Sequence, residues 1–344
     1  MLDNSKVEKI SIEVIKTLYS RFENFPEDAS KNRNQPFHTA FLKAFSDKLE
    51  DKINDIPVFI SLASWFHGLN TTLGQGFFEK TAHILSDGIK KEFAGLKISQ
   101  KQQTAIADII SDLKNAVQKP NLLRENELIF KNRTPLIKDI PNFSADCYFE
   151  EGNKIVAIEL KTVKPNSAIF RSEKEKVLYG KASLKNLYPS KETLFYIGFP
   201  FDPQSDTPTG YDKSSYFNYS VEFKKFFEPN EVLLSGELWD FLSGESETME
   251  QLLSIINTIS TTQFKEKYDF LNNPANVDAQ PEEYLKRLLE WNLFGEHYLA
   301  ENSQRLKRAS ATDTRLERLL NQPIFRGGGE YNSDRYLRLK DALV

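Results

Sequence analysis

The sequence predicts an α/β (α+β) chain in which a mixed sheet core is flanked by helices and lies between mainly helical N-terminal and C-terminal regions. Three observations point there. Apolar residues recur at helical spacing through the first third of the chain. Between about residues 122 and 234 the apolar runs shorten, enrich in Ile, Val, Phe and Tyr, and are separated by Pro and Gly. From residue 247 helical spacing returns. The expected organisation is therefore a helical region over 1–120, a core over 121–245 and a second helical region over 246–344, with no low-complexity linker between them.

The first helix is expected over residues 7–22, where Ile10, Val14, Ile15 and Leu18 form one stripe, and a second over 39–52. An apolar stretch then runs from Pro57. Gly68 should interrupt it, Thr71 and Thr72 offer N-caps, and Gly88 should stop the helix. Another helix is expected over 101–117, ending before Pro120. Strands are expected at 145–150, 154–160 and 193–199, with a helix over 167–187 before the last and one further strand at 231–234. Helices over 247–258 and 281–309 close the pattern. The glycine triplet 327–329 reads as a mobile loop, since neither Lys-Ser/Thr nor a strand–helix context surrounds it.

Composition removes several function classes. The chain has 344 residues, with 45 Lys and Arg against 49 Asp and Glu, a net charge of −4 that excludes a pervasively basic coat. The single cysteine, Cys147, excludes internal disulfides and cysteine-rich zinc modules. The four histidines lack the spacing of a zinc protease. No apolar run reaches the roughly 18 residues of a membrane span, and the N-terminus lacks a secretory apolar segment. A cytoplasmic protein is expected.

The chemistry concentrates in PNFSADCYFEEGNKIVAIELKT, residues 141–162. Gly152-Asn153 is a two-residue hairpin signal between strand-like runs. A turn centred there sets Asp146 opposite Glu159, where Cβ atoms of paired residues lie about 4.5–5.5 Å apart. Lys161 falls on the same face by alternation. The opposite face holds Cys147, Phe149, Val156, Ile158 and Leu160 and should pack on a core. Two carboxylates this close repel unless a cation separates them, and Mg²⁺ takes such oxygen ligands. A metal on Asp146 and Glu159 would polarise a phosphodiester, and Lys161 would orient water and stabilise transition-state charge. The sets Glu50-Asp51-Lys52 and Glu222-Phe223-Lys224 have similar composition but lack a hairpin turn. An ordinary hairpin with a charged outer face would carry the same residues.

The pattern Asp146-x₁₂-Glu159-Leu160-Lys161, followed by a basic helix and a strand, resembles the PD-(D/E)xK nuclease superfamily; Ala145 stands where the proline is expected, and Pro141 lies upstream. HGLNTTLGQGFFEKTAHILS at 67–86, the ELKT core and EVLLSGELWDFL at 231–242 look like type II restriction endonucleases of the TdeIII/MjaII family. The resemblance implies a restriction-endonuclease-like fold and Mg²⁺-dependent cleavage of duplex DNA at a short palindrome, GGNCC. It carries the catalytic roles onto Asp146, Glu159 and Lys161, with Mg²⁺ held by Asp146, Glu159 and the backbone carbonyl of Leu160. Reading a palindrome and cutting both strands needs two matched active sites, so a homodimer is expected by symmetry, with a cognate DNA methyltransferase that protects host DNA. Alternative readings are a structure-specific repair or recombination nuclease, and a nuclease-like fold kept only for binding.

Glu79 shares a helix face with His83 and Ser86, away from Phe78, Ala82 and Leu85, and is the candidate for an additional acidic residue. The segment 161–191 is locally basic, and Lys164, Asn166, Arg171, Lys174 and Lys181 are the expected DNA contacts. Arg335, Arg338 and Lys340 in the tail are further surface cations. Strand parity turns Cys147 into the core, which argues against a nucleophile.

Overall fold

The computed structural model describes residues 1–26, 40, 42, 56–131, 133–162, 167–205, 212–219 and 221–343. Lys164, Asn166, His38 and, but for two positions, the helix expected over 39–52 lie outside them.

The chain forms two compact units. One comprises Met1–Leu2 and Phe78–Leu252, the other Asp3–Phe77 and Leu253–Val344. These units do not coincide with the divisions 1–120, 121–245 and 246–344, because packing joins segments distant in sequence that local texture cannot connect.

Helix α1 (Asn4–Phe22) starts at Asp3, whose carboxylate accepts the Lys6 N–H, and buries Ile10, Val14 and Ile15. Helix α2 (Ile56–Thr72) widens into a π-helical segment, Leu73–Phe77. Gly68 does not interrupt it. Thr71 and Thr72 act within this helix and not as caps, each hydroxyl donating to a carbonyl one turn back, His67 and Gly68.

The sheet unit begins with α3 (Phe78–Ser86) and β1 (Ile89–Phe93). Next come β2 (Lys97–Ile98), α4 (Gln100–Lys114), α5 (Leu122–Phe130) and β3 (Lys138–Asp139). The core elements follow: β4 (Phe143–Glu151), β5 (Lys154–Leu160), α6 (Ser167–Leu187) and β6 (Glu192–Phe199). Helices α7 (Ser214–Tyr219) and α8 (Val221–Phe226), β7 (Val232–Leu234) and α9 (Gly236–Ser243) complete it. Helix α4 is fixed by a reciprocal cap between Ser99 and Gln102. Helix α5 replaces the strand-like texture expected from residue 122, because Asn121 caps it through the Arg124 N–H and Ile129 is buried.

Five strands form one sheet in the order β1-β4-β5-β6-β7. The first two pairings are antiparallel and the last two parallel, so the sheet is mixed. Helix α6 is the crossover between parallel β5 and β6. Ile106, Ile110, Ile155, Ala157, Val177, Leu178, Phe195 and Phe223 belong to one buried core. Each Val, Leu, Ile or Phe side chain among them contributes about 1.5–3 kcal/mol on burial.

Helix α10 (Thr248–Ile259) spans the division at Leu252, and in the second unit α11 (Phe264–Leu271) and α12 (Asn276–Ala279) precede the stretch expected as one helix over 281–309. That stretch is three helices: α13 (Pro281–Glu290), α14 (Phe294–Glu301) and α15 (Ser303–Ser310). Buried Trp291 and Leu293 flank Asn292, whose φ of 56° turns the chain. Helices α16 (Thr314–Leu320) and α17 (Ser333–Asp341) follow. Arg335 is not a surface cation: it is buried on Glu296 at 2.7 and 2.9 Å. The glycine triplet is a tight turn, not a mobile loop. A Cβ at Gly329 would lie 3.0 Å from the Tyr19 Cβ and 3.2 Å from the Lys16 Cα.

Candidate active site

The β4–β5 hairpin turns at Gly152, whose φ of 54° suits the first central position of a type II′ turn. Pairing runs from Glu151 with Lys154 to Cys147 with Ile158, the register read from the sequence. There the regular ladder ends. One step further, Asp146 accepts the backbone N–H of Leu160 through Oδ2 at 2.9 Å. Both faces of this hairpin are covered, since Tyr148, Ile155 and Ala157 are buried as well as Cys147, Val156 and Ile158. A hairpin with one charged face is therefore corrected to a buried hairpin with Asp146 and Glu159 at the end away from the turn.

On its other edge β4 is irregular. Ile89 pairs with Tyr148 and Lys91 with Ala145, leaving Lys90 alone opposite Asp146 and Cys147. Two residues facing one make a β-bulge, a device that re-aims side chains. Here it brings Lys90 to Asp146. The Lys90 ammonium lies 3.4 Å from Asp146 Oδ1 and 3.0 and 3.2 Å from the two Glu79 oxygens. Burial works against the Lys90 charge, yet Glu79 and Asp146 outweigh it and raise its pKa.

The face of α3 carrying Glu79, His83 and Ser86 lies along β4. His83 Nε2 donates to the Asp146 carbonyl at 2.6 Å, and because a carbonyl only accepts, this bond places the ring proton on Nε2. Ser86 Oγ and Cys147 Sγ are 3.3 Å apart. Burial pushes the Cys147 thiol up to about 11, so it is neither nucleophile nor ligand at neutral pH.

Glu159 holds two ammonium groups. Lys161 Nζ reaches Oε1 at 2.8 Å, and Lys176 Nζ, from α6, reaches Oε2 at 2.6 Å. Lys161 also pairs with Glu173 of α6 at 2.9 Å, while Glu173 Oε2 is buried with no hydrogen-bond partner among the described residues. Burial opposes the Lys161 charge, but Glu159 and Glu173 together hold its pKa above the ordinary lysine value. The ladder's end is thus a row of alternating charge: Glu79, Lys90 and Asp146 on one side, and Lys176, Glu159, Lys161 and Glu173 on the other. The side-chain donors are carboxylate oxygens, the hard type that suits Mg²⁺. Among the described residues, no three acidic, His or Cys side chains converge as a metal cluster.

A family model described as HinfI, a type II restriction endonuclease, matches residues 2–260. The chain belongs to the HinfI family of type II restriction endonucleases. The type II restriction enzyme MjaII of Methanocaldococcus jannaschii is 42% identical to it, over 98% of this chain and 97% of the relative. Restriction endonuclease activity and a restriction-endonuclease-like fold, expected from the sequence, therefore stand on the family as well as on the mixed sheet.

Within this endonuclease the structure redistributes the expected DNA contacts. Arg171 is exposed near the start of α6. Lys174 and Lys181 are not surface residues: they are 0% and 2% exposed. Lys174 is paired with Glu125 and with Glu231 at 2.7 Å, and Lys181 reaches Glu231 at 3.3 Å. Two facing acids satisfy these lysines inside the fold, and local charge counting could not see partners 50 and 57 residues away. Sequence reasoning also missed Lys90, Glu173 and Lys176. Position was the available signal for Lys176: it opens a helix turn on the crossover that follows the acidic strand. For Lys90 there was none, because the bulge is a property of pairing.

Proposed function

We propose that this chain is the Mg²⁺-dependent nuclease of a restriction–modification system, hydrolysing both strands of duplex DNA at a short palindrome, GGNCC, as a homodimer. The observation that supports the reading is that Asp146, which accepts the Leu160 N–H, and the Glu159–Lys161 ion pair lie at the same end of one hairpin, with Glu79 joined to Asp146 through Lys90. The dimer follows from symmetry, since a palindrome presents two equivalent half-sites. A cognate methyltransferase would protect host DNA.

Asp146, Glu159 and the Leu160 carbonyl would hold Mg²⁺, which when bound polarises the scissile phosphate and acidifies water. The chain's own groups do the rest. Lys161, kept charged by Glu159 and Glu173, stabilises the developing negative charge on the phosphate oxygens and orients the attacking water. His83 fixes the Asp146 backbone, and the Leu160 N–H fixes its carboxylate. Arg171, exposed on the crossover helix, supplies a phosphate contact. Alongside, a cavity of about 610 Å³ lined by Ser144, Ser172, Lys176 and Tyr179 opens next to Glu159 through Lys176.

The test is incubation of the purified full chain with plasmid DNA and Mg²⁺, with sequencing of the fragment ends. Discrete fragments sharing GGNCC at their termini support the reading. Fragments with unrelated ends support the structure-specific alternative, and intact plasmid with folded protein overturns catalysis.

A further inference from the structure

Lys90 stands apart from the other cations of this site. Lys161 is anchored on Glu173 as well as Glu159, and Lys176 extends from a helix that packs on the core. Lys90 is 48% exposed, lies on the edge strand β1, and forms ion pairs with two acids of the site, Glu79 and Asp146. The bulge in β4 sets it opposite Asp146 without any help from its side chain.

We propose that Lys90 is a displaceable counter-ion, its ammonium bridging Glu79 and Asp146 in the metal-free enzyme and vacating those oxygens when a divalent cation binds. The inference rests on the reading of Asp146 as a metal ligand. A carboxylate oxygen 3.0–3.4 Å from an ammonium cannot take a divalent ion without placing like charges within a few ångströms. Moving an ammonium away relieves that repulsion, and Lys90, 48% exposed against 22% for Lys161 and Lys176, is the one with room to move. The metal is held by the other acids, whereas the lysine has a four-carbon stem and open solvent beside it. Without Lys90, Glu79 and Asp146 would face each other as bare anions. Their repulsion would favour a divalent ion more strongly than in the native enzyme. Lys90 thus keeps the acids folded together at the cost of metal affinity.

The experiment is calorimetric titration of Ca²⁺ into the full chain without DNA, for the native protein, K90M, K90Q, K90R and D146A, each checked by circular dichroism. K90M and K90Q are expected to bind Ca²⁺ about tenfold more tightly than the native protein, which corresponds to the removal of one or two partly exposed ion pairs. K90R, which keeps the charge, should bind as the native protein does, and D146A should bind far more weakly than all of them. Unchanged or weaker binding by both neutral variants, with D146A still impaired, overturns the role of Lys90 and leaves the metal site standing. Native-like binding by D146A overturns the metal reading, and Lys90 with it. If K90M does not fold, K90Q, nearer in polarity to lysine on an exposed edge, decides.

Discussion

The Asp146 carboxylate accepts the backbone N–H of Leu160 at 2.9 Å, so the acid of one strand is tied to the residue after the acid of the next. One oxygen is thereby spent on position and the other, beside Lys90, is left for a cation. Asp146→Asn keeps an acceptor for Leu160 but loses the charge. It should cut DNA at least about a hundredfold more slowly, the scale of losing a preorganised electrostatic group. Its urea midpoint should stay close to that of the native protein. Asp146→Ala loses both and should be destabilised by about 1 kcal/mol as well. Equal activity of the Asn variant and the native enzyme in plasmid digestion would remove Asp146 from the chemistry.

Lys161 should remain a cation through the whole working pH range. Its folded pKa lies above the ordinary value of 10.5, because Glu159 and Glu173 outweigh burial. For a lysine raised on folding, the stabilisation is fully present below the unfolded value and is lost as pH rises through the folded one. The stability difference between native protein and Lys161→Met should therefore be flat from pH 7 to about 10 and shrink only above it. Lys161→Met should lose cleavage at every pH, and Lys161→Arg should keep part of it. Urea melts and digestion rates across pH check both. A cleavage rate in Lys161→Met that recovers at any pH would show that its charge is dispensable.

Lys174 and Lys181 test how far sequence can be read into function. Neutralising Lys174 leaves Glu125 and Glu231 buried without their main partner, a change that costs about 3–5 kcal/mol. Lys174→Met should fold poorly, whereas exposed Arg171→Ala should fold normally and bind DNA with a shallower salt dependence, by about one unit of slope. Urea denaturation and binding titrations at several salt concentrations separate the two outcomes.

The helix that holds these lysines was legible in the sequence, and its bounds, 167–187, match those expected. The hairpin register was legible for the same reason: Gly152 and side-chain alternation are local facts. What lay outside local reading were the partners. Glu231 reaches Lys174 from 57 residues away, and Lys90 reaches Asp146 because a bulge in β4 sets two of its residues opposite one of β1. Strand β1 was missed because IKKEF is apolar only at its ends, as befits an edge strand guarded by lysines. The expected helix over 281–309 failed at Asn292, since periodicity averages over a single left-handed residue.

Cys147 should be inert in the native protein. Its thiol is pushed up to about 11 by burial, so at pH 8 only about one molecule in a thousand is thiolate. Iodoacetamide should leave native protein unmodified for hours and alkylate it fully in 6 M guanidinium, with mass spectrometry as the readout. Rapid native labelling would mean that α3 opens away from β4, exposing the site's backbone anchor with it.

Gly88, between α3 and β1, should not tolerate even a methyl group. A Cβ there would lie 2.7 Å from Ser86 Oγ, 3.0 Å from Cys147 Sγ and 3.0 Å from the Tyr148 carbonyl oxygen. The serine hydroxyl can rotate aside. The Tyr148 carbonyl cannot, because it belongs to the strand that pairs with both β1 and β5. Gly88→Ala must therefore push the start of β1 away from β4, at about 1–3 kcal/mol, the usual cost of overpacking. The same displacement carries Lys90 from Asp146 and Glu79, since it lies two residues on. Adding Ser86→Ala should recover only part of the stability, because the carbonyl contact persists. Urea melts of the single and double variants check this, and full recovery in the double would mean that the serine contact, not the strand, makes glycine necessary here.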